Sequence, residues 1–208
     1  LYRQYQETLK GCNALDFEDI LNFCLKLFES HAEKMQEIRD RFRYVMVDEY
    51  QDTNSVQYRL LKHLVRDHRN LCVVGDDDQS IYGWRGAEPG NLFQFEKDFP
   101  DVKVVRLEQN YRSTEVILKA ANALIENNSQ RMPKTLWSEK PGGELLGWIE
   151  AEDEVLETET VVRRIRLDIM RHNRKLEEYC ILYRSNFQSR VLEESLREAK
   201  LPYRVVGG

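Results

Sequence analysis

The run Val45-Met-Val-Asp-Glu-Tyr-Gln-Asp52 ends a β-branched, apolar stretch in two adjacent carboxylates, Asp48 and Glu49. A buried parallel strand that ends this way delivers its acids to the carboxyl edge of the sheet, where open α/β sheets bind ligands. There one carboxylate can hold Mg²⁺ against a nucleotide phosphate while its neighbour polarises an attacking water. A second strand-like run, Leu71-Cys-Val-Val-Gly75, leads into Asp76-Asp-Asp-Gln-Ser-Ile-Tyr-Gly-Trp-Arg-Gly86. Gln79 is a neutral side chain able to contact a phosphate oxygen or a positioned water. Tyr82 and Trp84 lie in a glycine-broken loop, and bases stack on such rings at about 1–3 kcal/mol each. A third segment, Leu107-Glu-Gln-Asn-Tyr-Arg-Ser113, sets Tyr111 and Arg112 just ahead of a helix. Tyr111 suits a purine face, and Arg112 suits a γ-phosphate reached across a cleft. Each feature also has a plainer reading: a solvated turn for Asp76–Asp78, an interface plug for Trp84, an ordinary ion pair for Arg112.

The elements that must position these groups follow from periodicity and caps. Asp16 can cap a helix carrying Ile20, Leu21, Cys24, Leu25, Leu27 and Phe28 at helical spacing, and another helix runs to about Phe42. Asn54-Ser-Val-Gln57 resembles a capping box before a helix with Leu60, Leu61, Leu64 and Val65 on one face. Strands are predicted at the Asp48 run, at 71–75 with a tight turn at Gly75, and at 102–107. Ser113 is expected to cap a helix running to about Asn127, and residues 129–133 and 140–143 are turn-rich. Beyond them come a strand over 145–149 and a charged helix over 153–172 with Val162, Ile165 and Ile169 inward. A strand over 179–183, a helix capped by Asn186 and bearing Leu192, Leu196 and Ala199, and a short strand over 203–206 complete the series. Strands alternating with helices predict an α/β fold with parallel sheets and right-handed crossovers. The expected break lies near 100–107 and separates two units. Each has about three strands, fewer than the five or six of a typical sheet.

Composition bounds the function without naming it. The 208 residues are 41% hydrophobic and 32% charged, with a formal net charge of −5, so nucleic-acid binding would require a local groove and not a basic surface. The four cysteines show no Cys-x-x-Cys spacing and read as reduced; Cys72 and Cys180 are expected buried inside strands. The histidines form no ligand cluster. No apolar run approaches the ~18 residues of a membrane span, and the opening residues lack a signal-peptide core, which suits a cytoplasmic protein. The first residues read like the middle of a helix, as in a piece of a longer chain.

Together, Asp48-Glu-Tyr-Gln-Asp52, Gly75-Asp-Asp-Asp-Gln-Ser-Ile-Tyr-Gly-Trp-Arg-Gly86 and Gln109-Asn-Tyr-Arg-Ser113 resemble the central motifs of the UvrD/PcrA/Rep DNA helicases of superfamily one, in order and separation. Leu15-Asp-Phe-Glu-Asp-Ile20, Leu182-Tyr-Arg-Ser-Asn-Phe-Gln-Ser-Arg190 and Leu201-Pro-Tyr-Arg-Val-Val-Gly-Gly208 resemble further family segments, so the likeness covers nearly the whole chain. The resemblance implies two incomplete RecA-like (P-loop NTPase-like) parallel-sheet domains in tandem, 1–105 and 106–208. The second would end where the family inserts an accessory domain. It implies a motor that holds ATP between these domains and moves 3′ to 5′ along single-stranded DNA. By position, Asp48 would hold Mg²⁺ and Glu49 would activate water. Gln79 and Arg112 would contact the γ-phosphate, and Tyr111 would stack on adenine. Phe17, Tyr82 and Trp84 would form base pockets, and Arg85 would link the phosphate site to the DNA site. Arg184 and Asn186 would meet the DNA backbone.

The sequence contains no Gly-x-x-x-x-Gly-Lys-Ser/Thr loop and no Gly-Lys pair. That loop cradles phosphates and supplies a lysine and a Mg²⁺ hydroxyl. The expectation is therefore a central helicase segment whose ATP hydrolysis needs the P-loop and late-motif parts of the same protein. Single-stranded DNA and duplex/single-strand junctions are its expected partners. A non-catalytic single-stranded DNA-binding or interaction module is the alternative. A two-metal nuclease on Asp48, Glu49, Asp52 and Asp76–Asp78 is a remote third.

Overall fold

The computed structural model describes residues 1–206, and the closing Gly207-Gly208 of the last family-like segment lies outside them. The chain packs as two compact units, Leu1–Gly143 and Glu144–Gly208. Residues 131–134, past the break expected near 100–107, are bound to the Asp76–Asp78 loop within the first unit.

In the first unit, three helices precede the sheet: α1 (Tyr2–Gly11), α2 (Phe17–Ser30) and α3 (Ala32–Arg41). Asp16 caps α2 as expected, accepting from the Asp19 amide at 2.7 Å, and the Asp19 carboxylate takes the Asp16 amide in return. β1 (Val45–Val47) follows, then a 3-10 turn at Tyr50–Asp52 and α4 (Ser55–Val65). The capping box predicted at Asn54 and Gln57 is present, with both bonds at 2.9 Å. Helices α2, α3 and α4 pack on one another around Leu25, Met35 and Val65.

β2 (Leu71–Val73) pairs parallel with β1 in the register Val45↔Leu71, Met46↔Cys72 and Val47↔Val73. Among the described residues these are the only paired strands. The runs at 102–107, 145–149, 179–183 and 203–206, expected as strands, have no ladder partner and form none. A strand exists only through the neighbour that takes its backbone hydrogen bonds. Their apolar residues remain open to solvent, with Leu107, Leu145 and Leu182 each more than four-fifths exposed. Cys180 in one of these runs and Cys72 in the paired β2 are both exposed, against the expectation of buried thiols. A mixed α/β fold with a small parallel sheet results.

α5 (Gly90–Asp98), which periodicity did not reveal, sets Phe95 edge-on against Tyr50 at 5.6 Å and next to Phe99 at 4.7 Å. This aromatic cluster anchors the turn after β1. α6 (Glu115–Ile125) begins one residue later than expected, with Thr114 and not Ser113 at its N-cap. The second unit contains α7 (Glu154–His172), capped by Asp153 and burying Val162, and α8 (Asn186–Glu198). Ser185, not Asn186, caps α8 through a capping box with Gln188. Among the described residues no helix is long and apolar enough to cross a membrane.

Candidate functional site

The parallel pairing puts the carboxyl ends of β1 and β2 side by side, and two backbone bonds extend the contact past the strands. The Val74 amide donates to Val47 at 2.8 Å, and the Tyr50 amide donates to Val74 at 2.9 Å. Asp48 and Glu49 leave the first tip, and the 76–86 loop leaves the second.

Glu49 sits in the left-handed region at φ 50°, ψ 43°. A non-glycine residue there is uncommon, and the strain is held by local bonds. The Glu49 amide donates to Asp48 Oδ1 at 2.9 Å, and Glu49 Oε2 accepts Gln51 Nε2 at 2.7 Å. Both acids are exposed, and each keeps its second oxygen free of a protein partner among the described residues.

Gln51 is the residue that sequence reading passed over as a spacer between the acids. It is 1% exposed, and its Oε1 accepts the Asp76 amide at 3.0 Å. One buried amide thus joins the two strand tips. Gly75 is required by the same approach: a Cβ there would stand 2.7 Å from Gln51 Oε1 and 3.3 Å from two backbone nitrogens. Close packing, and not a positive φ, explains this glycine.

Beyond Asp76 the chain turns through Asp77–Gln79, and Gln79 Nε2 donates to Asp76 Oδ2 at 2.7 Å. Glu49, Gln51, Asp76 and Gln79 therefore form one connected path of side-chain and backbone hydrogen bonds. The Asp76–Asp78 carboxylates do not form a solvated turn. They face Lys134 and Arg131, with the Asp77 and Asp78 side chains 5% and 9% exposed. An open two-metal site is not what these acids make.

The next turn, Gly83–Arg85, presents Trp84 at 75% exposure, with the Arg85 guanidinium 4.5 Å from the indole centroid and 5.3 Å from the Tyr82 ring. Gly86 closes it at φ 84°. The loop is pinned beneath by Thr53, whose carbonyl accepts the Glu88 amide and Asn91 Nδ2, each at 3.0 Å. An exposed indole on an anchored loop has the geometry on which a planar ring can stack, and here the Arg85 cation lies over the ring.

Tyr111 is 75% exposed and its hydroxyl donates to Gln109 Oε1 at 2.8 Å. The Arg112 guanidinium is exposed, while its amide donates to Asn110 Oδ1 and its carbonyl accepts Lys140 Nζ. Neither side chain bonds to Asp48, Glu49 or Gln79 among the described residues. Phe17, at the start of α2, is 89% exposed. Arg184 and Asn186 belong to the second unit, exposed at the start of α8, where the Arg184 amide donates to Gln188 Oε1 at 2.9 Å.

The oxygen donors at the first tip fit a divalent cation of the Mg²⁺ type, which takes one or two carboxylates and completes its shell with water and phosphate. Asp48 is free to serve on the side away from the Glu49 amide.

Comparison with known proteins identifies the family. The model of the UvrD/REP helicase N-terminal domain matches residues 1–100, and that of the UvrD-like helicase C-terminal domain matches residues 105–208. The chain belongs to the UvrD-like helicase family. It is 49% identical over 208 residues to the ATP-dependent DNA helicase PcrA of Staphylococcus aureus. It is likewise 49% identical over 211 residues to the PcrA of Staphylococcus epidermidis. Both alignments take in the whole chain, which spans 28% of the length of these curated relatives.

Proposed function

We propose that these 208 residues act as part of an ATP-dependent DNA helicase that moves 3′ to 5′ along single-stranded DNA. Hydrolysis would occur in a cleft between two RecA-like domains, to which this chain contributes residues 1–105 and 106–208. The observation that carries the reading is the bonded path from Glu49 through Gln51 and Asp76 to Gln79, five residues before the exposed Trp84.

Asp48 would hold the Mg²⁺ that neutralises charge on the ATP phosphates. Glu49, oriented by Gln51, accepts a proton from the attacking water through its free oxygen. Gln79 donates to the terminal phosphate in exchange for its bond to Asp76. Arg112 adds positive charge at that phosphate, and Tyr111 offers its ring to the adenine. Because Gln79 and Trp84 share one loop, a change at the phosphate has a short route to a base stacked on Trp84, with Tyr82 and Phe17 completing the base contacts. Arg85 sits between the two functions, and Arg184 and Asn186 supply backbone contacts to DNA. Partners of this reading are single-stranded DNA, duplex/single-strand junctions and the remaining parts of the same helicase.

The test is translocation by a full-length helicase carrying this segment, on oligonucleotides blocked with streptavidin at one end. ATP-dependent displacement from the 5′ end is expected, with little from the 3′ end. Equal displacement from both ends, or none, would contradict directional movement.

A further inference from the structure

The cations Arg131 and Lys134 form one network with the acidic run Asp76–Asp78, and no motif assignment uses it. Lys134 Nζ lies 2.8 Å from Asp76 Oδ1, 2.7 Å from Asp77 Oδ1 and 2.8 Å from Asp78 Oδ2. An ammonium group has three donors, and each here meets its own carboxylate. Arg131 forks onto Asp78, with Nη2 2.8 Å and Nε 3.2 Å from Oδ2. The Met132 amide donates to Asp77 Oδ2 at 2.6 Å. One oxygen from each of the three carboxylates lies within 4.8 Å of those of the other two. At that separation their charges repel one another, and the two cations among them offset that repulsion. Lys134 is held above its ordinary range: burial lowers it, but the bonds to the three aspartates outweigh that.

Asp76 is where this network meets the phosphate-facing side of the loop. Its Oδ1 faces Lys134 and accepts the Asp78 amide at 3.0 Å, while Oδ2 accepts Gln79 Nε2 at 2.7 Å. The carboxylate that places Gln79 is thus itself placed by Lys134. The two partners come from different family domains: Asp76 and Gln79 lie within residues 1–100, and Arg131 and Lys134 lie within 105–208.

We infer that Lys134 and Arg131 are positioning residues for Gln79, forming an ionic latch by which the second family domain fixes the phosphate-facing loop of the first. This rests on the reading of Gln79 as a γ-phosphate contact. With the latch engaged, Asp76 keeps one orientation and Gln79 one starting point. With Lys134 withdrawn, three crowded carboxylates lose their main counter-charge, Asp76 turns away, and Gln79 loses its anchor.

The test uses Lys134→Ala and Lys134→Arg in a full-length helicase carrying this segment, with Glu49→Gln as a control. DNA-stimulated ATP turnover and amide hydrogen exchange are read together. Lys134→Ala is expected to lower kcat about tenfold with KM for ATP within about twofold, as a misplaced group does. It should also speed exchange at Asp78 and Gln79 while β1 and β2 keep their protection. Lys134→Arg, which keeps the charge, should recover most of the loss. A fall in kcat accompanied by lost protection in β1 and β2 would show a merely structural role and overturn the latch. Unchanged kcat in Lys134→Ala, with turnover abolished in Glu49→Gln, would overturn the latch alone. Unchanged turnover in both would overturn the hydrolytic reading beneath it.

Discussion

Gln51 donates from Nε2 to Glu49 Oε2 at 2.7 Å, and that bond holds an exposed acid in a left-handed backbone position at the end of β1. The other end of the same amide takes the Asp76 backbone N–H, so one buried side chain fastens two strand tips. The orientation of Glu49 and the course of the Asp76–Arg85 loop are therefore not independent.

Replacing Gln51 by alanine leaves the part-buried Asp76 amide without its acceptor and the exposed Glu49 without its orienting donor. Such orphaned groups cost about 1–3 kcal/mol. Urea denaturation of the chain should show a lower midpoint at unchanged slope. A midpoint unchanged from the parent would mean that the bridge adds nothing.

Gly75→Ala meets the same side chain from the other strand. The added methyl would fall 2.7 Å from Gln51 Oε1, and the backbone nitrogens of Tyr50 and Gln51 at 3.3 Å block retreat. Overpacking of this kind costs about 1–3 kcal/mol. Combined with Gln51→Ala, which empties the space, the loss should be smaller than the sum of the two single losses; strict additivity would argue against a shared contact.

Trp84→Ala removes the exposed ring and should weaken single-stranded DNA binding by about 1–3 kcal/mol. Because indole carries no charge, the slope of log Kd against log salt should stay the same. Fluorescence anisotropy across a salt series measures both quantities. Unchanged affinity would make the ring structural.

Stability should fall at both ends of the pH scale through the Asp78–Lys134 network. Burial pushes the Asp78 carboxyl up, but bonds from Arg131 and Lys134 outweigh it and hold the group below the usual range. A depressed folded value gives stability that is present above the unfolded value of about 3.9 and is lost as pH falls through the folded one. Lys134 is raised, so its contribution is full below an unfolded value of about 10.4 and is lost as pH rises through the folded one. In denaturation midpoints measured across pH, Asp78→Asn should flatten the acid limb and Lys134→Met the alkaline limb. The acid limb should become shallower without vanishing, because Asp98 is also depressed, chiefly by its bond from the Tyr58 hydroxyl. Limbs as steep as in the parent would contradict these assignments.

The strand tips were legible in the sequence because β-branched runs end abruptly in polar residues, and the Asn54–Gln57 cap was legible because its two side chains answer one another across three residues. Ser113 and Asn186 each missed the true cap by one position, since Thr114 and Ser185 offer the same chemistry next door. α5, only nine residues long and opening at Gly90 behind Pro89, gave no periodic signal in the sequence. The four runs that failed to become strands show that β-rich composition specifies a strand only when a neighbouring strand accepts its bonds. Arg131 and Lys134 were illegible for a different reason. Their partners lie more than fifty residues away, and a turn-rich segment gives no periodicity from which to infer a contact.

The most direct test is Glu49→Gln in a full-length helicase carrying this segment, which keeps the shape and the Gln51 contact while removing the base. ATP turnover stimulated by single-stranded DNA should fall about 10²–10⁴-fold, the contribution of a positioned general base, with affinity for the DNA unchanged. Turnover within about threefold of the parent would contradict the assignment of Glu49 as the residue that activates water.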